Sequence, residues 1–287
     1  MSGTAGAVLA VEGRWRAARS RQRWRFALGT CAFLAAVLAA AWIGEVSVTR
    51  LVRGLPLAWD YVHRTLPDIA WATAGADIAY WMWGFGDWVA LLGDTLLMAY
   101  VGTVLGGGVA LLLSFPAAAT LAPGPVVQGV RRVLEFMRTV PTLVLALIFV
   151  YAFGLGAFAG VLAIAVHTAG ALGKLFAEEH ENVALGPVDG VRAAGGSWAA
   201  QMRFGVLPQS LPGVLSYGLL RFEINVREAS VLGIVGAGGI GEELYLAVRQ
   251  FEYQDISAIL VLILLTVAAI DLLCGRLRAR VLGARLA

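Results

Sequence analysis

Residues 221–243, RFEINVREASVLGIVGAGGIGEE, combine a dense group of charges with a glycine-rich run. Four of the first eight residues are charged, and Gly236, Gly238 and Gly241 fit the G-x-G-x-x-G pattern of dinucleotide-binding turns. Such a turn needs a preceding strand, a following helix and an acidic residue about 20 positions later. Asp255 has that spacing, but the run that follows it, ISAILVLILL, is typical of a membrane span. We therefore expect no nucleotide site, and the surrounding sequence must explain both features.

The composition indicates a membrane protein. Of the 287 residues, 59% are hydrophobic and 14% are charged, and the mean hydropathy is +0.78. Soluble domains carry about 25% charged residues, and a helix needs about 20 apolar residues to cross a bilayer. The predicted spans are 26–44, 88–113, two spans in 139–173 with a turn at FGLGAFAG between them, 211–235 and 256–274. The sequence thus predicts an all-α polytopic membrane protein with about six transmembrane helices.

The first apolar run could instead be a signal peptide, since the basic stretch RWRAARSRQRWR precedes it. The run from 26 to 44 has 19 residues without a charge, which is longer than the usual ~7–15, and no small-x-small cleavage site precedes GEVSVTR. We therefore expect a retained helix at 26–44, with residues 1–25 as a basic arm on the cytoplasmic membrane surface.

The basic residues predict the orientation. With six spans and both termini in the cytoplasm, 16 of the 22 Lys and Arg residues fall in cytoplasmic segments, including a basic tail at 276–287. This distribution follows the positive-inside rule and predicts a multi-pass protein of the cell membrane. The net charge of +3 then reflects topology, and we expect contact with membrane lipid and no nucleic-acid partner.

The sequence predicts no catalytic centre and no metal site. Cys31 and Cys274 each fall in an apolar span, where a free thiol acts as a small hydrophobe. His63, His167 and His180 lack the spacing of metal ligands. The chain also contains no GxxxxGK[ST] motif, so any ATP hydrolysis would need a partner protein.

Two connections between the predicted spans are long enough to have a role of their own. The external one, 45–87, is rich in Trp, Tyr and Phe and predicts amphipathic helices at the membrane interface. The internal one, 174–211, begins with KLFAEEHENV, which we expect to extend the fourth span out of the membrane. Pro187 and Gly195-Gly196 then delimit a short helix before Pro208 opens the next span. An isolated helix of this kind indicates a docking element.

The internal loop resembles the EAA---G---------I-LP motif of ABC importer permeases. Asp189 stands at the position of the Glu, and Gly190 and Val191 stand at those of the two alanines. Longer stretches, MRTVPTLVLALIFVYAFGLGAFAGVLAIAVHTAGALGKLF and GVLPQSLPGVLSYGLLRFEINVREASVLGIVGAGGIG, resemble the phosphonate branch of that family, and DTLLMAYVGTVLGGG matches the start of its core. The positions aligned with the loop motif are Asp189, Gly190, Val191, Gly195, Gly205, Leu207 and Pro208.

The resemblance covers residues 88–275 and implies a five-helix ABC permease core. It also implies a second permease copy, an external substrate-binding protein and an ABC ATPase dimer that binds ATP and Mg and receives the 174–211 loop. The chain itself would bind no cofactor. Phosphonate is the expected ligand, while phosphite, phosphate and an amino acid such as methionine stay open. The alternative is an autonomous secondary transporter, which would need intramembrane ion-coupling carboxylates or an inverted repeat.

The charges at 221–228 would cost about 2.5–3.5 kcal/mol each at the centre of a lipid-exposed helix, so they must face protein or water. Helical spacing predicts an ion pair between Glu223 and Arg227 and aligns Arg221, Asn225 and Glu228 on another face. A structural network between helices and a polar lining of the transport pathway both fit this pattern. In the second case the Arg side chains would suit an oxyanion. A further candidate for the lining is His167.

The glycine run is predicted to permit a bend in the backbone at the outer end of the fifth span. A bend there would lie near the mouth of a pathway and act as a gate. The alternative is that the glycines serve close packing between helices. The residues concerned are Gly236, Gly238, Gly239 and Gly241.

Overall fold

A computed structural model describes residues 3–283, which are mostly helical. The ends of the predicted arm and tail, residues 1–2 and 284–287, lie outside the described residues. The helices are α1 Gly3–Ile43, α2 Val48–Thr65, α3 Ala74–Trp81, α4 Phe85–Ala117, α5 Gly124–Thr139, α6 Thr142–Phe153, α7 Ala157–Glu181, α8 Leu185–Ala193, α9 Trp198–Ala200, α10 Leu207–Leu232, α11 Ile240–Gln250 and α12 Tyr253–Gly283.

The chain divides into two compact units, with the boundary along the chain between His63 and Arg64. The first unit contains α1, a single helix that runs from residue 3 of the predicted basic arm to residue 43 of the predicted first span. The apolar part of α1, Arg21–Ile43, has no buried residue. None of the residues of α2 is buried either, and this helix carries its polar and apolar residues on different faces.

In the second unit, α4 and α7 pack closely because glycine lies at their contact. A Cβ on Gly106 would lie 2.5 Å from Ala165 O and 2.8 Å from Thr168 Cβ, so only glycine allows this backbone approach. Around the contact, apolar side chains, most of them small or branched, fill the core between α4, α6, α7 and α10. The buried members of this cluster are Met98, Ala99, Ala146, Ala163, Ile164, Val226, Ala229, Leu232 and Ala237.

Four described helices are long and apolar enough to cross a membrane: Arg21–Ile43, Phe85–Ala117, Ala157–Glu181 and Tyr253–Val281. Two bent pairs also have the necessary length and composition, α5 with α6 and the segment Trp198–Val235 with α11. The number of spans thus reaches the predicted six if each pair counts as one. The fold class predicted from the sequence is confirmed.

The predicted start of the third span at Thr139 is wrong. Thr139 ends α5, and α6 is a helix of 12 residues that meets α5 at an angle of 84°. The break lies at Val140 and Pro141, both in an extended conformation. Proline lacks the amide hydrogen and disfavours the helical conformation of the preceding residue, so α5 must end there.

The other predicted boundaries agree better with the structure. The FGLGAFAG segment does form the turn between α6 and α7, with Gly154 at φ +92° and Gly156 at φ +127°. The charged KLFAEEHENV segment extends α7 to Glu181, as predicted. The fifth helix begins earlier than 211, because a π-helical turn at Gln201–Val206 leads directly into α10.

Candidate functional site

Arg221, Asn225 and Glu228 do share a face of α10, and Thr168 of α7 lies at its centre. An Nη2 hydrogen of Arg221 is donated to Glu228 at 3.4 Å, and the Nε of Arg221 lies 3.5 Å from Thr168 Oγ1. Glu228 accepts a second hydrogen bond from Thr142 Oγ1 of α6 at 2.7 Å. This ion pair therefore joins α10 to both α6 and α7.

Asn225 is completely buried on the same face. Its side-chain amide donates to Thr103 Oγ1 of α4 at 2.7 Å and to Thr168 Oγ1 at 2.9 Å. Asn225 Oδ1 has no hydrogen-bond partner among the described residues. A buried amide that serves two helices at once fixes their relative position, because leaving either hydrogen bond unmade would be costly.

The predicted ion pair between Glu223 and Arg227 is wrong, because both residues pair with α12. Arg278 donates to Glu223, and Arg227 Nη2 lies 3.0 Å from both carboxylate oxygens of Asp271. The antiparallel α12 packs beside α10 and presents opposite charges to both residues. Asp271 and Arg278 stand seven positions apart, which places them on one helix face. That spacing in the sequence could have indicated Asp271 and Arg278 as the partners of Arg227 and Glu223.

The three ion pairs differ in exposure. The Arg221 side chain is 11% exposed and the Glu223 side chain is also 11% exposed, whereas that of Arg227 is 50% exposed. Arg227 lies on a strip with Leu220, Val231 and Ile234, which are exposed as well. Since a charge in lipid is costly, the face that carries Arg227 needs protein or water beside it in a membrane.

His167 lies one position before Thr168, but its hydrogen bond belongs to another feature. Its Nδ1 lies 3.1 Å from Val140 O, at the break between α5 and α6. The ring therefore satisfies a carbonyl that the broken helix leaves without a partner. The structure brings Arg221, Asn225 and Glu228 together around Thr168, and His167 stands beside this group.

The glycine run follows a helix and forms a tight bend. After a short 3-10 turn at Gly233–Val235, the backbone has φ +83° at Gly236, +78° at Gly238 and +76° at Gly239. No strand precedes it in the described part of the chain, so the dinucleotide pattern lacks its structural context. The bend supports the interpretation that these glycines are needed for their backbone conformation.

The bend also packs tightly against its neighbours. Gly156 N donates to Gly236 O at 2.9 Å, and Ile240 N donates to Thr95 Oγ1 of α4 at 3.0 Å. A Cβ on Gly241 would lie 2.2 Å from Ser230 O, so this glycine lets α11 fold back against α10. Close packing and backbone bending thus both operate in this segment, at different glycines.

The 174–211 loop forms the isolated helix that its sequence predicts, with α8 ending before Gly195 at φ +79°. Asp189 pairs with Arg192 at 3.1 Å on the exposed side of α8, and Gly190 has open space around it. Val191 contacts the turn that follows, since a Cβ on Gly196 would lie 2.6 Å from its side chain.

The opposite side of α8 packs on the segment before α10. Val188 is buried against Met202 and Val206. A Cβ on Gly205 would lie 2.9 Å from Val188 Cα, so the glycine in place of the motif's Ile brings the two backbones together. Leu207 and Pro208 then form the first turn of α10, where proline is tolerated.

Comparison with known proteins matches the part of the chain that contains α7, α8 and α10. Residues 110–283 match the family "Binding-protein-dependent transport system inner membrane component". The chain is 39% identical over 258 residues to the phosphite transport system permease protein PtxC of Stutzerimonas stutzeri, which covers 89% of this chain and 90% of that protein. It is 36% identical over 272 residues to the putative phosphite transport system permease protein HtxC of the same organism, covering 93% and 90%.

A solved structure shows the same fold. The chain superposes on the inward-facing MetNI methionine ABC transporter with a TM-score of 0.59 at 22% identity, covering 70% of this chain and 97% of that one. This likeness concerns the fold alone. The family match, the two permease relatives and the helical architecture agree with one another. The chain therefore belongs to the family of binding-protein-dependent transport system inner membrane components, as a phosphonate-type ABC permease.

Proposed function

We propose that this chain is the membrane subunit of an ATP-driven importer that moves a phosphorus oxyanion, namely phosphite, a phosphonate or phosphate, into the cytoplasm. PtxC and HtxC are described as phosphite transport permeases, and a 41% identical relative from Mycolicibacterium smegmatis is a phosphate-import permease. The observation that carries the proposal is the half-exposed ion pair of Arg227 and Asp271 in helices long enough to span a membrane. A translocated anion needs a polar surface of this kind.

In this proposal the pair faces the translocation pathway. Guanidinium groups bind phosphorus oxyanions well because their planar N–H fork matches two oxygens. Asp271 keeps Arg227 paired, so the anion meets a cation whose charge is already partly compensated and can leave again. The exposure favours Arg227 over Arg221 for this contact, since Arg221 is occupied between α6 and α7.

In the same proposal, an ATPase dimer binds the 174–211 loop at α8 and displaces it during the transport cycle. Both termini of the chain lie in the cytoplasm. Val188 and Gly205 hold α8 against the start of α10, so a displacement of α8 would carry α10 with it. The complex would also contain a second permease copy and an external binding protein, with ATP and Mg on the ATPase. The Gly236–Gly239 bend is proposed as the gate at the outer end.

The test is reconstitution of the complete complex in liposomes with its ATPase and binding protein. We expect phosphite, methylphosphonate or phosphate to stimulate ATP hydrolysis and to accumulate inside, and methionine to do neither. A complex whose ATPase has a substituted P-loop lysine serves as control and should not accumulate the anion. Uptake that continues with this control complex under an ion gradient would indicate a secondary transporter, and stimulation by methionine alone would refute the oxyanion.

A further inference from the structure

His180 joins three helices at the end of the bundle that carries α8. It lies in the last turn of α7 and has no exposed surface. Its Nδ1 lies 2.9 Å from Ser210 Oγ of α10, and its Nε2 lies 3.0 Å from Ser114 Oγ of α4. The ring also stacks on Phe115 of α4, with 4.5 Å between the ring centroids. The ion pairs in the middle of α10 do not explain why a histidine lies in this position.

The serine hydroxyls determine how these hydrogen bonds run. Ser114 Oγ lies 2.7 Å from Leu111 O and donates its hydrogen there, so it accepts from Nε2–H of His180. A neutral imidazole then has Nδ1 as its acceptor, and Ser210 donates to it. Both ring nitrogens are satisfied within the protein. Directional bonds of this kind fix how the three helices are placed, more narrowly than apolar contacts do.

The same junction holds the entry to α8. The Gln209 side chain accepts a hydrogen bond from Ala184 N at 3.2 Å and donates one to Ala184 O at 3.1 Å. Ala184 directly precedes α8, and Gln209 directly precedes Ser210. The start of α8 is therefore connected to the imidazole ring of His180 through the Ala184–Gln209 hydrogen bonds and the neighbouring Ser210.

We propose that His180 is a positioning residue that makes the ends of α4, α7 and α10 move together with α8 during the transport cycle. The inference rests on the proposed coupling of α8 to an ATPase. Rigid-body motion of packed helices needs a junction that does not slide. With His180 in place, a displacement of α8 reaches all three helices at once. Without its hydrogen bonds, α10 can follow α8 while α4 and α7 stay behind.

The variant His180→Phe tests this role with little risk to folding. Phenylalanine keeps the ring volume and the stacking on Phe115. The two serine hydroxyls stay satisfied within their own helices, since Ser114 donates to Leu111 O and Ser210 Oγ lies 3.2 Å from Val206 O. The substitution therefore leaves neither serine hydroxyl without a partner, and the complex should assemble.

In liposomes with the ATPase and the phosphite-loaded binding protein, we expect His180→Phe to keep its ATP hydrolysis. Phosphite uptake per ATP hydrolysed should fall about tenfold, in the usual range of coupling between sites. His180→Gln retains a donor and an acceptor and should recover part of the ratio. The matched control is Ser230→Ala, which removes a buried hydroxyl that, among the described residues, donates to Val226 O of its own helix and to no other helix. Its ratio should equal that of the parent.

A parent-like ratio in assembled His180→Phe overturns the inference. If that variant does not assemble, a triple variant, His180→Phe/Ser114→Ala/Ser210→Ala, is tested instead. It replaces all three polar groups by apolar ones of similar shape. Failure of both to assemble would show a purely structural role and overturns the inference as well. If the parent complex itself does not respond to phosphite, methylphosphonate or phosphate, the proposed function fails rather than the role of His180.

Discussion

The helices α1 and α10 are both long, but they meet the demands of a membrane in opposite ways. The segment 26–43 of α1 has no charge, and its large side chains are exposed, with Trp42 at 84%. In α10, Glu223, Asn225 and Val226 are buried, and each of its charges has a partner on another turn or helix. An apolar helix can face lipid on every side, whereas a charged helix needs protein around it. The charges therefore mark where this molecule needs its tertiary structure.

The largest expected effect comes from breaking a buried ion pair between α10 and α12. Arg278→Leu leaves Glu223 buried without its partner, which should cost about 3–5 kcal/mol of stability. Thermal unfolding of the detergent-solubilised protein measures the loss, and Glu223→Gln/Arg278→Gln should recover most of it. Arg132→Leu, which removes a partner of Glu135 from an exposed pair, is the matched control and should change little. If Arg278→Leu and Arg132→Leu lost equal stability, burial would not determine how much an ion pair contributes in this protein.

A smaller effect is expected from a single methyl group between packed helices. Gly106→Ala would place a Cβ 2.5 Å from Ala165 O, and overpacking of this kind costs about 1–3 kcal/mol. The same change in α1, Gly29→Ala, meets nothing within 4 Å and should be neutral or stabilise by up to about 1 kcal/mol. The same unfolding measurement compares the two. Destabilisation by Gly29→Ala that matches Gly106→Ala would show that α1 is also closely packed.

The smallest effect on stability should come from removing the half-exposed pair as a whole. Arg227→Gln/Asp271→Asn deletes both charges, and partly exposed pairs contribute about 0–1 kcal/mol. Uptake of phosphite should nevertheless fall about tenfold, a typical effect of one lost charge-assisted contact. The control Arg132→Gln/Glu135→Gln removes an exposed pair on α5. Normal phosphite uptake with Arg227→Gln/Asp271→Asn would show that this ion pair has no role in transport.

Local features were largely predictable from the sequence. The turn at FGLGAFAG, the short helix before Gly195 and the common face of Arg221, Asn225 and Glu228 follow from glycine conformation and helical spacing, which involve few neighbouring residues. The bend at Pro141 was missed because the span was placed from the charge-free run that begins at Thr139, and the proline two positions later was not considered. Its signal was present in the sequence.

The partners of Glu223 and Arg227 could not be chosen from spacing within α10. Each had an opposite charge within one turn and another on α12, and only the packing of these two helices decides between them. His180 is a second case. As one of three histidines without metal-ligand spacing, it carried no signal, whereas the structure places it between Ser114 and Ser210.

By itself, the sequence determined an all-helical membrane protein, the positions of its apolar helices and a short helix in the 174–211 loop. Hydropathy and helical period suffice for this, because the cost of exposing backbone and charge to lipid acts on each segment separately. Only the tertiary structure decided which charges pair, which glycines permit contact between helices and how α8 is joined to α4, α7 and α10. These properties depend on which segments become neighbours, and residues such as Glu223 and Arg278, 55 positions apart, meet only through packing.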